Sequence, residues 1–566
     1  MGGTLRYSKW EILKKATLQE ARNMDASLLE ASVLKHRNIV DKQQKNDFLK
    51  PSADSSNDPF LMSDMDQCTN RMLEAINMSE KIGVFGDFDT DGLTGTALLT
   101  FALRDLGATV FPYIPHRVDE GHGVSSKSLS YFKQHQVSLM ITVDCGITSF
   151  DEISDAKSIG IETIVTDHHT ILDKFPNAVA IVNTSHPDYN YPFQSLTGVG
   201  TAFKVIEALY SKLSIEIPPV LFAYAALGTT SDVAPMIGEN RYLVNEGLKV
   251  MRSFPISGLD ALIEKSKLRK NRLTSQDMSF SIIPRLNVAG RIEHAVESLN
   301  LLLSDNSQQS IYLSNKLDNL NKKRQIITES AMKESTDQIE KVSIDNQNVM
   351  FVGRPSWIPG ILGLVAARIA EQFYKPAIAA SGEGDIVRAS ARSIPEFNLI
   401  ESFKQFDHLF ERYGGHSMAA GFTIKREKLK TFRQNMTEYT GQHMANIPSS
   451  PTLELEDVLD PSNINRNFLD FVTSLDPFGS NNPVPIFLAQ GVHVIDTRTV
   501  GPQGNHLKIT LDSNGQFFDG IAFRDGSRIQ DCTGFLDVAY TPTINYWNGR
   551  ESVELLIKDF RPAGNI

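Results

Sequence analysis

The fold is decided at Ile82-Gly-Val-Phe-Gly-Asp-Phe-Asp-Thr-Asp-Gly92, where an apolar run ends in glycine and three aspartates at alternate positions, Asp87, Asp89 and Asp91. An apolar run that stops at glycine and acidic residues reads as a buried strand opening into a tight loop. Thr96-Ala-Leu-Leu-Thr-Phe-Ala-Leu-Arg104 follows and reads as a helix. Carboxylates crowded at one strand end repel each other unless cations bind there. Taken alone, the stretch also fits a solvated acidic turn, so the rest of the chain decides.

Downstream, strand-like and helical segments alternate. Ala108-Thr-Val-Phe-Pro-Tyr-Ile114 is strand-like, and its proline suggests a sheet edge. Ser138-Leu-Met-Ile-Thr-Val143 precedes Asp144, and Glu162-Thr-Ile-Val-Thr166 precedes Asp167-His168-His169. Ala178-Val-Ala-Ile-Val182 is a further strand, and Ser149 to Ser158 is one of the helices between them. The alternation predicts an α/β fold, a mainly parallel sheet with helices on both faces. Ligands gather outside the carboxyl ends of such strands. Three of these strands end in aspartate or histidine.

A chain of 566 residues is too long for one core and suggests about three or four domains. An extension over 1–55 is mostly helical and ends near the polar Pro51-Ser-Ala-Asp-Ser-Ser-Asn-Asp58. The α/β domain spans 56–255, with helices at Thr197 to Leu213 and Pro219 to Leu227, then a polar turn from Gly228 to Met236 carrying Asp232. A helical connector over 256–345 carries the basic spot Lys322-Lys-Arg324, a smaller α/β domain spans 346–447, and 448–566 reads as a β barrel or sandwich. With 41% apolar and 22% charged residues the chain is ordinary globular material. Three cysteines without a CxxC pair fit a reducing compartment and exclude a disulfide scaffold or a thiolate zinc site. The N-terminus lacks a signal-peptide core, and no apolar run reaches bilayer length, so a cytoplasmic protein is expected. A net charge of −11 argues against indiscriminate nucleic-acid binding but allows a local basic groove.

The candidate ligands are Asp87, Asp89, Asp91, Asp144, His168, His169 and Asp232. Carboxylates with an imidazole or two suit Mn²⁺ or Mg²⁺. So many acids invite two ions with one carboxylate between them, an arrangement that activates water and stabilises a leaving oxygen. The chemistry implied is metal-assisted hydrolysis of a phosphodiester or pyrophosphate.

Gly86-Asp-Phe-Asp-Thr-Asp-Gly92, Asp144-Cys-Gly146 and Asp167-His168-His169 together resemble the DHH phosphoesterase superfamily. Within it the chain resembles the RecJ family of single-strand-specific 5′→3′ DNA exonucleases, over roughly residues 55–560. Ile283-Pro-Arg-Leu-Asn-Val-Ala-Gly-Arg291, Ser390-Ala-Arg-Ser-Ile-Pro395, Gly414-Gly-His416, Asp476-Pro-Phe-Gly479 and Asn545-Tyr-Trp-Asn-Gly549 extend the likeness. The resemblance implies a DHH domain, a DHH-associated domain and a C-terminal oligonucleotide-binding domain. It implies Asp89, Asp91, Asp144, His168 and Asp232 as metal ligands, with Asp144 bridging and Asp87 as a further ligand or supporting carboxylate. His169 is implied at the scissile phosphate, with Asp167 orienting a neighbouring histidine. Gly414, Gly415 and His416 are expected to bind substrate, and Arg117, Ser390 and Arg392 to grip the 5′-terminal phosphate. Arg285 and Arg291 either contact DNA or brace two domains. Phe478, Tyr540 and Trp547 are available for base stacking.

The same resemblance implies Mn²⁺ or Mg²⁺ as cofactor and a monomer acting on single-stranded DNA in recombination and repair, beside a helicase and a single-strand-binding protein. Rival readings are a DHH phosphodiesterase for very short or cyclic oligonucleotides, and a catalytically silent scaffold. The chain departs from the family pattern at Ile358, Glu396 and Asn481, none of which is a proposed metal ligand.

Overall fold

The computed structural model describes residues 7–564 apart from 173, 342–346, 445–446, 449, 502 and 548–549, and leaves the side chains of 546–550 undescribed. The chain forms two compact units: Asn57–Ala234 with Leu243–Ser449, and the N-terminal segment to Ser56 with Pro235–Tyr242 and the chain from Ser450.

The larger unit opens with a five-stranded parallel sheet of β1 (Lys81–Gly86), β2 (Thr109–Tyr113), β3 (Leu139–Val143), β4 (Glu162–Asp167) and β5 (Ala180–Asn183), in the order β2-β1-β3-β4-β5. The apolar runs of β1 and β3 are buried almost throughout, as strands covered on both faces must be. Pro112 sits in edge strand β2, where a sheet tolerates proline. Helix α1 (Thr90–Asp105) packs against α2 (Gly198–Leu213) and α3 (Pro219–Ser231). α3 runs on to Ser231, where the sequence reads as a turn from Gly228. Gly228 marks a close helix crossing instead. A methyl there would lie 2.4 Å from Thr94 Oγ1 and 2.5 Å from Val199 Cγ1.

The helical connector contributes α4 (Ile283–Asn287), α5 (Ala289–Ile292) and the 34-residue α6 (Ser307–Glu340). A second sheet follows: β6 (Met350–Gly353), β7 (Ala377–Ser381), β8 (Ile386–Arg392), β9 (Phe410–Gly415) and β10 (Ala419–Lys425), ordered β9-β10-β8-β7-β6, with α7 (Leu362–Phe373) packed on it. Only β6 and β7 pair in parallel. Gly414 and Gly415 end a strand rather than forming a free loop.

The smaller unit is built on a closed five-stranded barrel of β11 (Phe487–Val500), β12 (His506–Ser513), β13 (Gln516–Ala522), β14 (Phe535–Trp547) and β15 (Arg550–Pro562). The N-terminal segment belongs to it: Lys9–Ile12 pairs with Thr452–Leu455, and Val33, Leu34 and Phe48 join the barrel's core. Arg241 is buried with its guanidinium donating to the carbonyls of Phe48, Ser474, Leu475, Asp476 and Pro477, which fixes Pro235–Tyr242 in this unit. Asn481, one of the departures, has φ 60°, a left-handed conformation that asparagine tolerates where glycine is the usual choice. Tyr540 is a core residue whose hydroxyl donates to Leu459 O, and Phe478 packs against the same core. The Trp547 side chain lies outside the described residues. Among the described residues no helix is long and apolar enough to cross a membrane.

Candidate active site

The carboxyl ends of β1, β3 and β4 bring the predicted ligands together. Asp89 caps α1, its Oδ1 accepting from the Asp91 and Gly92 N–H groups at 3.0 and 3.2 Å. Asp91 is held by the first turn of α2, accepting from Gly198 N–H at 2.7 Å and Val199 N–H at 2.8 Å. Asp144 leaves β3 with φ 60° and lies 3.1 Å from His168 Nε2 through Oδ1. Ligand atoms within 4.8 Å of one another form three groups: Asp87, Asp89 and Asp144; Asp91, His168 and Asp232; and Asp144, His168 and His169. Asp144 and His168 each belong to two of them.

These acids are uncomfortable without a cation. Burial, then the neighbouring Asp87 carboxylate, raises the Asp89 pKa. Asp91 and Asp144 are pushed well above the ordinary carboxylate range by burial and by the aspartates around them. Asp87 accepts from His122 Nδ1 at 3.0 Å through Oδ2, while its Oδ1 is buried with no hydrogen-bond partner among the described residues. Carboxylate oxygens with an imidazole nitrogen are a donor set for Mn²⁺ or Mg²⁺, so the residues fit divalent cations.

Asp167 behaves differently. Its Oδ2 accepts from Ile147 N–H at 3.0 Å, and its Oδ1 accepts from His169 Nδ1 at 2.7 Å and from both histidine N–H groups. Burial alone would raise its pKa, but the hydrogen bond from His169 carries it below the usual value. The same bond outweighs burial at His169 and lifts that imidazole to about 9. His168 is shifted the other way by burial, which keeps it neutral and able to ligate.

Arg117 lies 4.5 Å over the Phe88 ring, against which His122 also packs. Arg392 Nη1 donates to Ser390 Oγ at 3.3 Å, and Arg392 feels the Arg117 charge. His416 is close enough to His168 to depress its pKa. Arg388 donates to Val118 O at 3.4 Å, so the second sheet touches the loop that carries Arg117. Arg291 Nη1 donates to Gly360 O at 3.2 Å. Arg285 is taken up by Asp318, with Nε and Nη2 donating at 3.1 and 3.0 Å. Glu396 accepts from the Tyr374 hydroxyl, and Ile358 precedes the turn Pro359–Ile361. Two residues escaped the sequence reading. His122 holds Asp87, and Asn287 Oδ1 accepts from Thr90 N–H at 2.9 Å, tying α4 to the aspartate loop. The Ile283–Arg291 run contained Asn287, but nothing local marked its partner.

Three family models match: the DHH family N-terminal domain over 81–229, the DHHA1 domain over 346–442 and the RecJ OB domain over 455–559. The chain is 33% identical over 559 residues to the single-stranded-DNA-specific exonuclease RecJ of Bacillus subtilis, covering 97% of this chain and 70% of that protein. It is 32% identical to RecJ of Escherichia coli, covering 88% of this chain and 91% of that protein. RecJ of Thermus thermophilus, crystallised with Mn²⁺, superposes with a TM-score of 0.83 at 28% identity, covering 99% of this chain and 80% of that one. With the DHH, DHHA1 and RecJ OB models matching in turn along it and a RecJ relative 33% identical over 97% of its length, the chain belongs to the RecJ family.

Proposed function

We propose that this protein is a divalent-metal-dependent exonuclease that hydrolyses single-stranded DNA from its 5′ end to 5′-mononucleotides. The observation that carries the proposal is the convergence of two donor groups, Asp87, Asp89 and Asp144 beside Asp91, His168 and Asp232, at the carboxyl ends of parallel strands. Two cations there, Mn²⁺ or Mg²⁺ as in the crystallised relatives, would supply positive charge to the scissile phosphate and to the leaving oxygen. Asp144 is the ligand suited to serve both, because it belongs to a group with Asp87 and Asp89 and lies against His168 of the other.

The remaining residues position the strand. Asp167 accepts from His169 Nδ1, which leaves Nε2 of a protonated imidazole to donate to a non-bridging phosphate oxygen. His416, with the Gly414–Gly415 strand end beside it, supports a second substrate contact from the DHHA1 domain. Arg117, Ser390 and Arg392 suit the 5′-terminal phosphate, and Arg291 extends that basic surface. Arg285, paired with Asp318, braces α4 against α6. The OB barrel is the candidate strand-holding module. Among the described residues Phe517, Phe523 and Phe535 are exposed aromatics there, in place of the buried Tyr540.

The protein acts in recombination and repair in the cytoplasm. It would need a helicase to supply single strands and a single-strand-binding protein to keep them open. It would act as a monomer. The test is degradation of end-labelled strands with each metal. Labelled mononucleotide should appear first from the 5′ end of single strands, and equal degradation of blunt duplex would overturn the proposal.

A further inference from the structure

Asp87 forms the first donor group with Asp89 and Asp144, and its two oxygens have different surroundings. Oδ2 accepts from His122 Nδ1 at 3.0 Å, while Oδ1 is buried with no hydrogen-bond partner among the described residues. A buried carboxylate oxygen without a donor costs stability unless something positive meets it. The Asp87 backbone is fixed by the tight loop, since a methyl at Gly92 would lie 2.5 Å from both its N and its O. What remains free is rotation of the carboxylate. Among the described residues, the hydrogen bond that restrains this rotation comes from His122.

His122 is placed for that contact by a loop built around one carboxylate. Between β2 and the helix Ser126–Gln134, Glu120 accepts from the Tyr113 hydroxyl at 2.9 Å, His116 N–H at 2.8 Å and the Ser125 hydroxyl at 2.6 Å, which draws the two ends of the loop together. Gly121 and Gly123 flank His122 at φ 80° and 86°, left-handed conformations that glycine adopts freely. The resulting turn presents the imidazole to Asp87 and lays it 4.4 Å from the Phe88 ring, on which Arg117 also packs. From the second sheet, Arg388 donates to Val118 O at 3.4 Å, and Arg412 Nη1 lies 3.6 Å from where a methyl at Gly121 would stand. The His122 side chain is 65% exposed, whereas that of Asp87 is 6% exposed. Burial therefore does not explain the place of the histidine, and its contact with Asp87 does. We propose that His122 is a positioning residue of the metal centre: by occupying Oδ2 it turns Oδ1 of Asp87 toward the cation held with Asp89 and Asp144. This rests on the divalent-metal exonuclease reading above and adds to it a residue outside the donor groups.

Calorimetric titration with Mn²⁺ in the absence of DNA tests it with two substitutions. His122→Phe keeps a ring against Phe88 but removes the donor, and it weakens one Mn²⁺ binding event about 10–100-fold, the order expected for losing a partner that orients a ligand. His122→Asn loses the ring but keeps an N–H where Nδ1 stood, and it binds Mn²⁺ with close to wild-type affinity. A His122→Asn protein as weak as His122→Phe overturns the proposal. A His122→Phe protein with wild-type Mn²⁺ affinity and a lower melting temperature in EDTA also overturns it, because the histidine then serves the fold alone. If the wild-type protein binds Mn²⁺ and degrades single strands while His122→Phe binds Mn²⁺ equally well, the proposal falls and the exonuclease reading stands. A wild-type protein that binds no Mn²⁺ and degrades no strand sinks that reading, and the proposal with it.

Discussion

Replacing Gly198 by alanine probes the metal centre without touching a ligand. Gly198 is the first residue of α2, and its N–H holds Asp91 Oδ2 at 2.7 Å. An added methyl would lie 2.4 Å from Asp144 Cβ and 2.7 Å from its Cγ and Oδ1. Carbon atoms rest about 3.5–4.0 Å apart, so relief demands a shift of roughly 1 Å. If Asp144 yields, the carboxylate shared with His168 leaves its place. If α2 yields, the N–H groups that orient Asp91 move with it. Either way one donor group is broken. A misplacement of about 1 Å costs on the order of 10²-fold in rate, while the overpacking costs only about 1–3 kcal/mol of stability. Calorimetric titration of the folded Gly198→Ala protein with Mn²⁺ should therefore lose one binding event or weaken it by about 10–100-fold. End-labelled single strands should be cut at least 10²-fold more slowly. Wild-type Mn²⁺ stoichiometry, affinity and rate together would refute the assignment of Asp144 and Asp91 to adjoining donor groups.

Asp144→Asn should abolish cleavage yet raise the melting temperature in EDTA, because it removes a carboxylate that burial and neighbouring acids disfavour; a lower melting temperature would contradict that. In EDTA, stability should fall as pH rises from about 4, because the raised pKa values of Asp89, Asp91 and Asp144 mean the folded state holds protons that the unfolded state has released. Denaturation followed from pH 4 to 8 should show that decline, and Mn²⁺ should flatten it; a rise with pH in EDTA would be inconsistent with the charge arrangement. Arg285→Ala should lower stability to urea by up to about 3 kcal/mol, since Asp318 keeps only Lys322, while the preference between 5′-phosphate and 5′-hydroxyl strands persists; a changed preference would place Arg285 on the substrate. Changing Phe517, Phe523 and Phe535 together to alanine should weaken binding of long strands at least tenfold while dinucleotides are cut at the wild-type rate, since base stacking contributes about 1–3 kcal/mol per base.

The sheet that carries the site was readable because its strands are apolar runs with polar residues directly beyond them: Asp87 follows β1, Asp144 follows β3, and β4 ends in Asp167 just before His168. The grouping of the candidate ligands was readable for the same reason, since topology alone delivers Asp89, Asp144 and His168 to one edge. What stayed hidden depended on distant partners. Gly228-Thr-Thr-Ser reads locally as a turn, but α3 continues through it because only glycine fits against Thr94 and Val199. The fate of Arg285 is set by Asp318, 33 positions away, and that of Asp87 by His122, 35 away. The union of the N-terminal segment with the barrel rests on Trp10 and Leu453 pairing in parallel across most of the chain, a contact no local pattern encodes.

The larger unit holds two charge systems that are each unfavourable alone. At the strand ends, Asp89, Asp91 and Asp144 are buried together and resist ionisation. Along α5 and β8, Arg291 and Arg392 have their pKa values lowered by burial and by the Arg117 charge, yet stay charged. Between the two, Arg117 feels Asp87 and Asp89, and Asp89 pulls on Arg291. Had the fold been selected for stability alone, those carboxylates and guanidiniums would pair, as Arg285 and Asp318 do. Keeping them apart leaves an acidic wall that needs cations and a basic wall that needs an anion. A 5′-phosphorylated strand with divalent metal satisfies both walls at once, so binding of either component should tighten binding of the other. The measurable consequence is reciprocal. A 5′-phosphorylated, cleavage-resistant strand should increase Mn²⁺ affinity by the same factor that Mn²⁺ increases affinity for the strand. A 5′-hydroxyl strand should give a smaller factor in both directions. Unequal factors would mean that the two walls are not engaged in one complex.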